Sequence, residues 1–164
     1  MIVTHDLRYR PGTDRGLLDL YRPQGAGAFP AVLCLHGGGW RQGDKKECAF
    51  LAAHLVQAGI AAVAPNYRLT TTAPHPAQEE DVFAALDWVA TQGPKYGLDP
   101  QRLGLTGWSA GGHLAMLAGV KAQSRNSGWT VRAILPLCGV SDVVLWTRQN
   151  PEYRHFVLPF LAGL

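Results

Sequence analysis

The chain has 164 residues, of which 47% are hydrophobic and 16% are charged, and its formal net charge is +3. This apolar fraction excludes an intrinsically disordered chain, and no apolar run approaches the ~20 residues of a membrane-spanning helix. The lysines and arginines are scattered, unlike the clustered positive surface of a nucleic-acid-binding protein. We therefore predict one domain over residues 1–164, and the lack of an apolar leader favours a cytoplasmic protein.

Apolar runs and amphipathic stretches alternate along most of the sequence. Two short N-terminal β segments predict an antiparallel edge, and four later apolar runs predict strands buried on both faces. These segments are residues 4–10, 16–21, 31–35, 60–64, 102–106 and 131–137. Helices are expected at residues 47–58, around residues 82–89 and at residues 111–121. The alternation predicts an α/β fold, with a mostly parallel sheet and helices on both faces.

The pattern changes after Gly139. Residues 141–164 contain Pro151 and Pro159, and their four large aromatic side chains follow no clean helical or strand period. We expect this part of the chain to be irregular.

Residues 107–112 read GWSAGG and join a predicted strand to a predicted helix. G-x-S-x-G in this context is typical of a nucleophile elbow, a strained turn that exposes the serine hydroxyl above the carboxyl ends of the strands. Ser109 is therefore the candidate nucleophile, and the Ala110 N–H is free at a helix N-terminus to bind a developing oxyanion. The alternative is a glycine-rich turn with an incidental serine.

Residues 36–40 read HGGGW and follow the predicted strand 31–35. Three glycines after a buried strand leave backbone N–H groups unblocked, as in the H-G-G-G oxyanion motif of lipases and esterases. We expect His36 to order this loop by hydrogen bonding. A flexible turn or a phosphate-binding loop is the alternative, although no phosphate-loop pattern follows a strand in this chain.

Several further segments, together with these two motifs, carry a family resemblance. They are Leu18-Asp19-Leu20-Tyr21-x-Pro23, residues 36–40 with Gly43-Asp44, Asn66-Tyr67-Arg68-Leu69, Pro76-Ala77-Gln78 with Asp81, Tyr96-Gly97-Leu98-Asp99-Pro100, and residues 107–114. The sequence resembles the α/β-hydrolase fold, within its hormone-sensitive-lipase-like and feruloyl or acetyl-xylan-esterase-like branch. The resemblance implies hydrolysis of a carboxylic ester through an acyl-enzyme on Ser109. It also implies an oxyanion hole formed by the N–H groups of Gly38, Gly39 and Ala110, and no cofactor.

The resemblance also implies an incomplete domain. In this fold the triad acid and then the histidine follow the nucleophile, on loops after later strands. Only one strand is predicted after Ser109, so we expect a C-terminally truncated hydrolase domain that lacks the last strands. Asp142 and His155 occur in the right order and are the candidate acid and base, although the aspartate at this place is usually structural in the resembled branch. Residues 141–164 resemble the start of a substrate-covering cap region.

Three functional hypotheses remain open at this point. The first is a serine esterase acting on a small-molecule ester, and the second is a peptidase or arylformamidase on the same scaffold. The third is an inert or severely impaired fragment, because loss of a triad member can reduce kcat by about 10⁴–10⁶.

Two structural expectations accompany these hypotheses. Without later strands, residues 131–137 form an exposed apolar edge through which the chain can self-associate. Arg68 and Asp81 are expected to form a structural ion pair. No histidine or cysteine spacing is typical of a metal site.

Overall fold

The computed structural model describes residues 1–125 and 127–162, and a mostly parallel six-stranded sheet forms the centre of this part of the chain. The strands are β1 (Ile2–Arg8), β2 (Leu17–Arg22), β3 (Phe29–Leu35), β4 (Ala61–Pro65), β5 (Leu98–Trp108) and β6 (Val131–Leu137). The helices are α1 (Ala49–Gln57), α2 (Ala77–Thr91), α3 (Ala110–Ala122), α4 (Val143–Gln149) and α5 (Arg154–Leu161). The spatial order of the strands is β1-β2-β4-β3-β5-β6.

Strand directions match the prediction from sequence. β1 pairs antiparallel with β2, and β2 pairs antiparallel with β4. The pairs β3–β4, β3–β5 and β5–β6 are parallel. The α/β fold with an antiparallel N-terminal edge on a mostly parallel sheet is therefore confirmed.

Helices cover both faces of the sheet, as predicted. Along β3, Leu33 and Leu35 point into the apolar cluster beneath α2 and α3, whereas Cys34 points into a smaller cluster beneath α1. The central strands, which lie between these two apolar clusters, are buried on both faces, and this burial explains their continuous apolar sequences. The longest helix, α2, has 15 residues. Within the described residues no helix is long and apolar enough to cross a membrane.

β6 is the outermost strand at one side of the described sheet. It pairs with β5 alone, and its side chains are largely exposed along its length. Leu135 is 62% exposed, and Ile134 and Leu137 are more than a third exposed. The predicted exposed edge at residues 131–137 is therefore present in the structure.

Helices α4 and α5, with a short 3₁₀ helix at Pro151–Tyr153 between them, occupy most of residues 143–161, so the prediction of an irregular segment over residues 141–164 is wrong for these residues. Asp142 caps α4 by accepting a hydrogen bond from the Leu145 N–H at 2.8 Å. α5 buries Val157 and Phe160 completely or nearly so, even though Pro159 lies inside it. The helix is stabilised by contacts with residues distant in sequence, and Pro159 masks the local helical pattern. Residues 163 and 164 lie outside the described residues.

The expected Arg68–Asp81 ion pair is confirmed. The Arg68 Nε lies 3.1 and 3.0 Å from the two carboxylate oxygens of Asp81, and the Arg68 backbone N–H donates to the same carboxylate at 2.7 Å. The pair joins the loop after β4 to the N-terminal part of α2. Because the Asp81 side chain is fully buried, the bond fixes this loop firmly.

Candidate active site

Ser109 lies at a sharp turn between β5 and α3. Its backbone has φ 52° and ψ −118°, a conformation that is strained for a residue with a side chain. The Ser109 N–H donates to the Leu137 carbonyl at 2.9 Å, and the Ser109 carbonyl accepts from the His113 N–H at 3.0 Å. The residue is exposed, so the turn presents its side chain at the carboxyl edge of the sheet. The strand–turn–helix context predicted for Ser109 is confirmed.

The glycines on either side of Ser109 are required by close backbone contacts. A methyl group on Gly107 would lie 2.6 Å from the carbonyl carbon of Gly111. On Gly111 it would overlap the Leu35 carbonyl oxygen and lie 2.5 Å from that of His36. The backbone of the nucleophile elbow (residues 107–111) therefore packs directly against the backbone at the end of β3 and at the start of the glycine loop (residues 36–43).

The conformation of the glycine loop is determined by its own backbone angles and hydrogen bonds. Gly38 and Gly39 have φ of 106° and 59°, values that favour glycine. The Gly38 carbonyl accepts from the N–H groups of Arg41 and Gln42, both at 3.1 Å. Among residues 1–125 and 127–162, the N–H groups of Gly38 and Gly39 donate to no protein acceptor. The Ala110 N–H is the first of α3 and has no acceptor within that helix.

His36 orders this loop by hydrogen bonding, as predicted. Its Nδ1 lies 2.8 Å from the Gly37 carbonyl oxygen, and its ring stacks on Tyr67 with centroids 4.2 Å apart. The Tyr67 hydroxyl donates to the His36 carbonyl at 2.9 Å. Burial of the imidazole is the main cause that lowers the pKa of His36 to about 4, so the ring is neutral at pH 7.

Asp142 and His155 make local contacts within their own helices. Asp142 caps α4, as described above, and is exposed. The exposed His155 lies in the first turn of α5, where its Nδ1 donates to the Glu152 carbonyl at 2.9 Å. The structure does not join either side chain to Ser109, and their assignment as acid and base remains a prediction.

α5 packs directly on the glycine loop, a contact that the sequence did not indicate. A methyl group on Gly39 would lie 2.6 Å from the ring of Phe156. The Phe160 ring stacks on Trp40 with centroids 4.5 Å apart and meets His113 edge-on at 5.4 Å. The i, i+4 spacing of Phe156 and Phe160 is a helical signal, but the intervening Pro159 obscured it.

A family model described as BD-FAE matches residues 18–157. The chain belongs to the BD-FAE family. The resemblance to α/β-hydrolases, which rests on the two glycine motifs and the further segments quoted with them, is confirmed by this match and by the solved structures described below.

Curated relatives of this BD-FAE chain are named as esterases. Esterase LipQ of Mycobacterium tuberculosis (strain ATCC 25618 / H37Rv) is 34% identical over 170 residues, which cover 96% of this chain and 39% of that protein. Carboxylesterase NlhH of the same strain is 40% identical over 88 residues, covering 53% of this chain and 28% of that protein. The chain therefore spans less than half the length of the curated relatives that it matches.

Solved structures show the same fold. Esterase B from Lactobacillus rhamnosis, inhibited by a C6-C4 SN3 compound, has a TM-score of 0.86 and 27% identity, covering 96% of this chain and 55% of that one. A thermostable esterase from Pseudomonas putida ECU1011 has a TM-score of 0.70 and 32% identity, covering 76% of this chain and 40% of that one. The central sheet and its helices are thus a shared hydrolase framework.

Proposed function

We propose that this chain carries the nucleophile and the oxyanion hole of a serine carboxylic-ester hydrolase. The observation that supports this proposal is the backbone contact between the nucleophile elbow and the glycine loop at Gly111. That contact brings the strained Ser109 turn beside N–H groups that have no protein acceptor among the described residues. The esterase names of the relatives agree with the proposal.

The reaction would proceed through an acyl-enzyme. The Ser109 Oγ attacks the ester carbonyl carbon, and the carbonyl oxygen becomes an oxyanion that accepts hydrogen bonds from the N–H groups of Gly38, Gly39 and Ala110. The intermediate collapses when the C–O bond to the alcohol breaks and the alcohol leaves with a proton. Water then attacks the acyl-serine and releases the acid. Loss of one such hydrogen-bond donor reduces kcat by about 10²–10³ in a well-studied serine hydrolase.

The Oγ proton must pass to a general base. Asp142 and His155 are the pair that the Ser–Asp–His chain order offers in the described residues. His155 would have to exchange its bond with the Glu152 carbonyl for a bond with Ser109. This requirement favours the second candidate function, in which the oxyanion hole is present but Ser109 lacks a general base and reacts slowly.

Covalent labelling separates the two candidates. The full chain is treated with an alkyl fluorophosphonate, and the modified residue is found by mass spectrometry. The esterase proposal expects labelling that disappears in Ser109→Ala and weakens at least tenfold in His155→Gln. Absence of labelling in the intact chain would support the impaired candidate. Turnover of p-nitrophenyl acetate and butyrate, against amide and formylkynurenine substrates, then distinguishes an esterase from a peptidase or arylformamidase.

We also propose that β6 mediates self-association with a second copy of the chain. Its outer edge has unpaired backbone groups within the described sheet, and Leu135 is exposed on it. Sedimentation velocity should therefore detect oligomers that Leu135→Lys weakens. Leu158→Lys is the matched control, because Leu158 is similarly exposed but lies on α5. A concentration-independent monomer would contradict the proposal.

A further inference from the structure

Arg15 lies in the turn between β1 and β2, far from the glycine loop in sequence, and yet its guanidinium reaches both ends of that loop. The Nη2 atom lies 3.1 Å from the His36 Nε2 and donates to the Gly43 carbonyl at 2.9 Å. The same side chain donates through Nε to the Tyr67 carbonyl at 2.8 Å, and through Nη2 to the Asn66 Oδ1 at 3.1 Å. One planar group therefore joins the loop to the segment after β4.

The contacts of His36 with Arg15 and with the Gly37 carbonyl place its proton on the same nitrogen. A guanidinium has donors only and does not lose its proton in proteins, so the His36 Nε2 must be the acceptor. The proton of the neutral ring is therefore on Nδ1, which donates to the Gly37 carbonyl. The burial of the ring and the positive charge of Arg15 both lower the pKa of His36, which keeps the ring in this neutral form.

The bond to the Gly37 carbonyl also orients the N–H of Gly38. The Gly37 C=O and the Gly38 N–H belong to one planar trans peptide and point in opposite directions. A hydrogen bond that holds the carbonyl toward His36 therefore turns the N–H of Gly38 away from His36. The loop is closed tightly around this bond, because a methyl group on Gly43 would lie 2.6 Å from the same carbonyl oxygen.

The surroundings of Arg15 fit a positioning role better than a role in charge pairing. Its four acceptors are neutral groups, and within the described residues it forms no ion pair with a carboxylate. Arg68, by contrast, pairs with two carboxylates. The fork of Arg15 is thus used for geometry: Nε bonds the segment after β4, and the two N–H groups of Nη2 are shared among acceptors on the glycine loop and on that segment.

We propose that Arg15 is a positioning residue for the oxyanion hole, which acts through His36 to fix the Gly37–Gly38 peptide. The proposal rests on the proposed function of the glycine loop. It predicts that loss of the Arg15 fork impairs the reactivity of Ser109 without changing the affinity of the site for its reagent. A merely structural role would lower stability and leave the reactivity of the folded molecules unchanged.

The test uses Arg15→Met and Arg15→Lys, with Arg8→Met as the matched control. Arg8 and Arg15 line the same open cavity of about 690 Å³, but the Arg8 guanidinium donates to the Thr13 carbonyl and not to the glycine loop. The methionine variant keeps a long unbranched side chain without the charge, and the lysine variant keeps the charge without the planar fork. Circular dichroism confirms that each variant is folded before it is used.

Two measurements are made on each folded variant. Long-range ¹H–¹⁵N NMR should show the His36 proton on Nδ1 in the wild type and in Arg8→Met. It should show partial or full transfer of that proton to Nε2 in Arg15→Met. The first-order rate of labelling by a fluorophosphonate, whose P=O oxygen occupies the oxyanion hole, should fall at least tenfold in both Arg15 variants. The concentration of reagent that gives the half-maximal rate should stay within twofold.

The outcomes separate the two proposals. If the wild type is labelled at Ser109 and a folded Arg15 variant reacts at the same rate, the positioning role is refuted and the proposed function stands. A wild-type His36 with its proton on Nε2 also refutes the positioning role. If the wild type is not labelled at all, the proposed function fails, and the role of Arg15 in an oxyanion hole fails with it. If Arg15→Met does not fold, the lysine variant decides.

Discussion

Mild acid should destabilise this protein because two of its histidines are buried in their neutral form. His36 and His113 are almost fully buried, and desolvation is the main cause that lowers the pKa of each from 6.5 to about 4. In the unfolded chain both rings bind a proton as the pH falls through about 6.5, whereas in the folded chain they resist protonation down to about pH 4. The free energy of unfolding therefore decreases between these two pH values.

The size of the effect follows from the two pKa values. At pH 5 nearly all unfolded molecules carry a proton on each ring, but only about one folded molecule in ten does. This difference costs about 2 kcal/mol per histidine, and hence about 4 kcal/mol for the pair, relative to pH 7.5. Asp19 and Asp44 have lowered pKa values, so their contribution is lost only below about pH 4.

Urea unfolding, followed by tryptophan fluorescence at pH 7.5 and at pH 5, measures this difference. His113→Leu should remove about half of it, because the substitution replaces a buried ring whose Nδ1 has no hydrogen-bond partner among the described residues. His54→Gln should leave the difference unchanged, because His54 lies on the exposed face of α1. An equal free energy of unfolding at the two pH values would refute the reasoning. So would a His113→Leu variant that keeps the full pH dependence.

Three further substitutions test other contacts. Gly111→Ala places a methyl group against the Leu35 carbonyl oxygen. The free energy of unfolding in urea titrations should fall by about 3 kcal/mol, and fluorophosphonate labelling should be abolished. Asp81→Asn removes the buried carboxylate from Arg68 but leaves the Glu80 partner, and should cost about 1.5–3 kcal/mol in the same titration. Phe156→Ala removes the ring that covers the glycine loop. The labelling rate with octyl fluorophosphonate, divided by the rate with ethyl fluorophosphonate, should therefore rise. An unchanged ratio would contradict this placement of the ring.

The sequence predicted those parts of the site that depend on short-range backbone chemistry. Residues 107–112 and 36–40 require glycine for reasons local to each turn, so their patterns indicate both the turn and the exposed serine. The bounds of β3 and β4 are close to the prediction because a strand buried on both faces has a continuous apolar sequence. β6 also has the predicted bounds, but the expected burial on both faces is wrong for it, because it lies at the edge of the described sheet. β5 is longer than predicted, since Pro100 interrupts the apolar pattern within it without ending the strand.

The contacts missed from sequence are made between residues far apart in the chain. Phe156 and Phe160 acquire their helix from packing on Gly39 and Trp40, and the propensity of residues 141–162 alone does not indicate it. Arg15 is an unremarkable arginine in a turn until the fold brings it to His36. No spacing or motif in the sequence identifies the partners of these side chains, because the partners are determined by the sheet order and not by the sequence interval.

β6 lies between the free edge of the described sheet and the turn that carries Ser109. The Leu137 carbonyl at the end of this strand receives the hydrogen bond from the Ser109 N–H, and a methyl group on Gly112 would lie 2.9 Å from the Cα of Gly139, just after the strand. Neighbouring strands are about 5 Å apart. Any chain segment that pairs with the free edge of β6 therefore binds only one strand away from the bond that holds the nucleophile turn. If the two proposals hold, a second copy bound at this edge would pair with the same strand whose end bonds the Ser109 N–H.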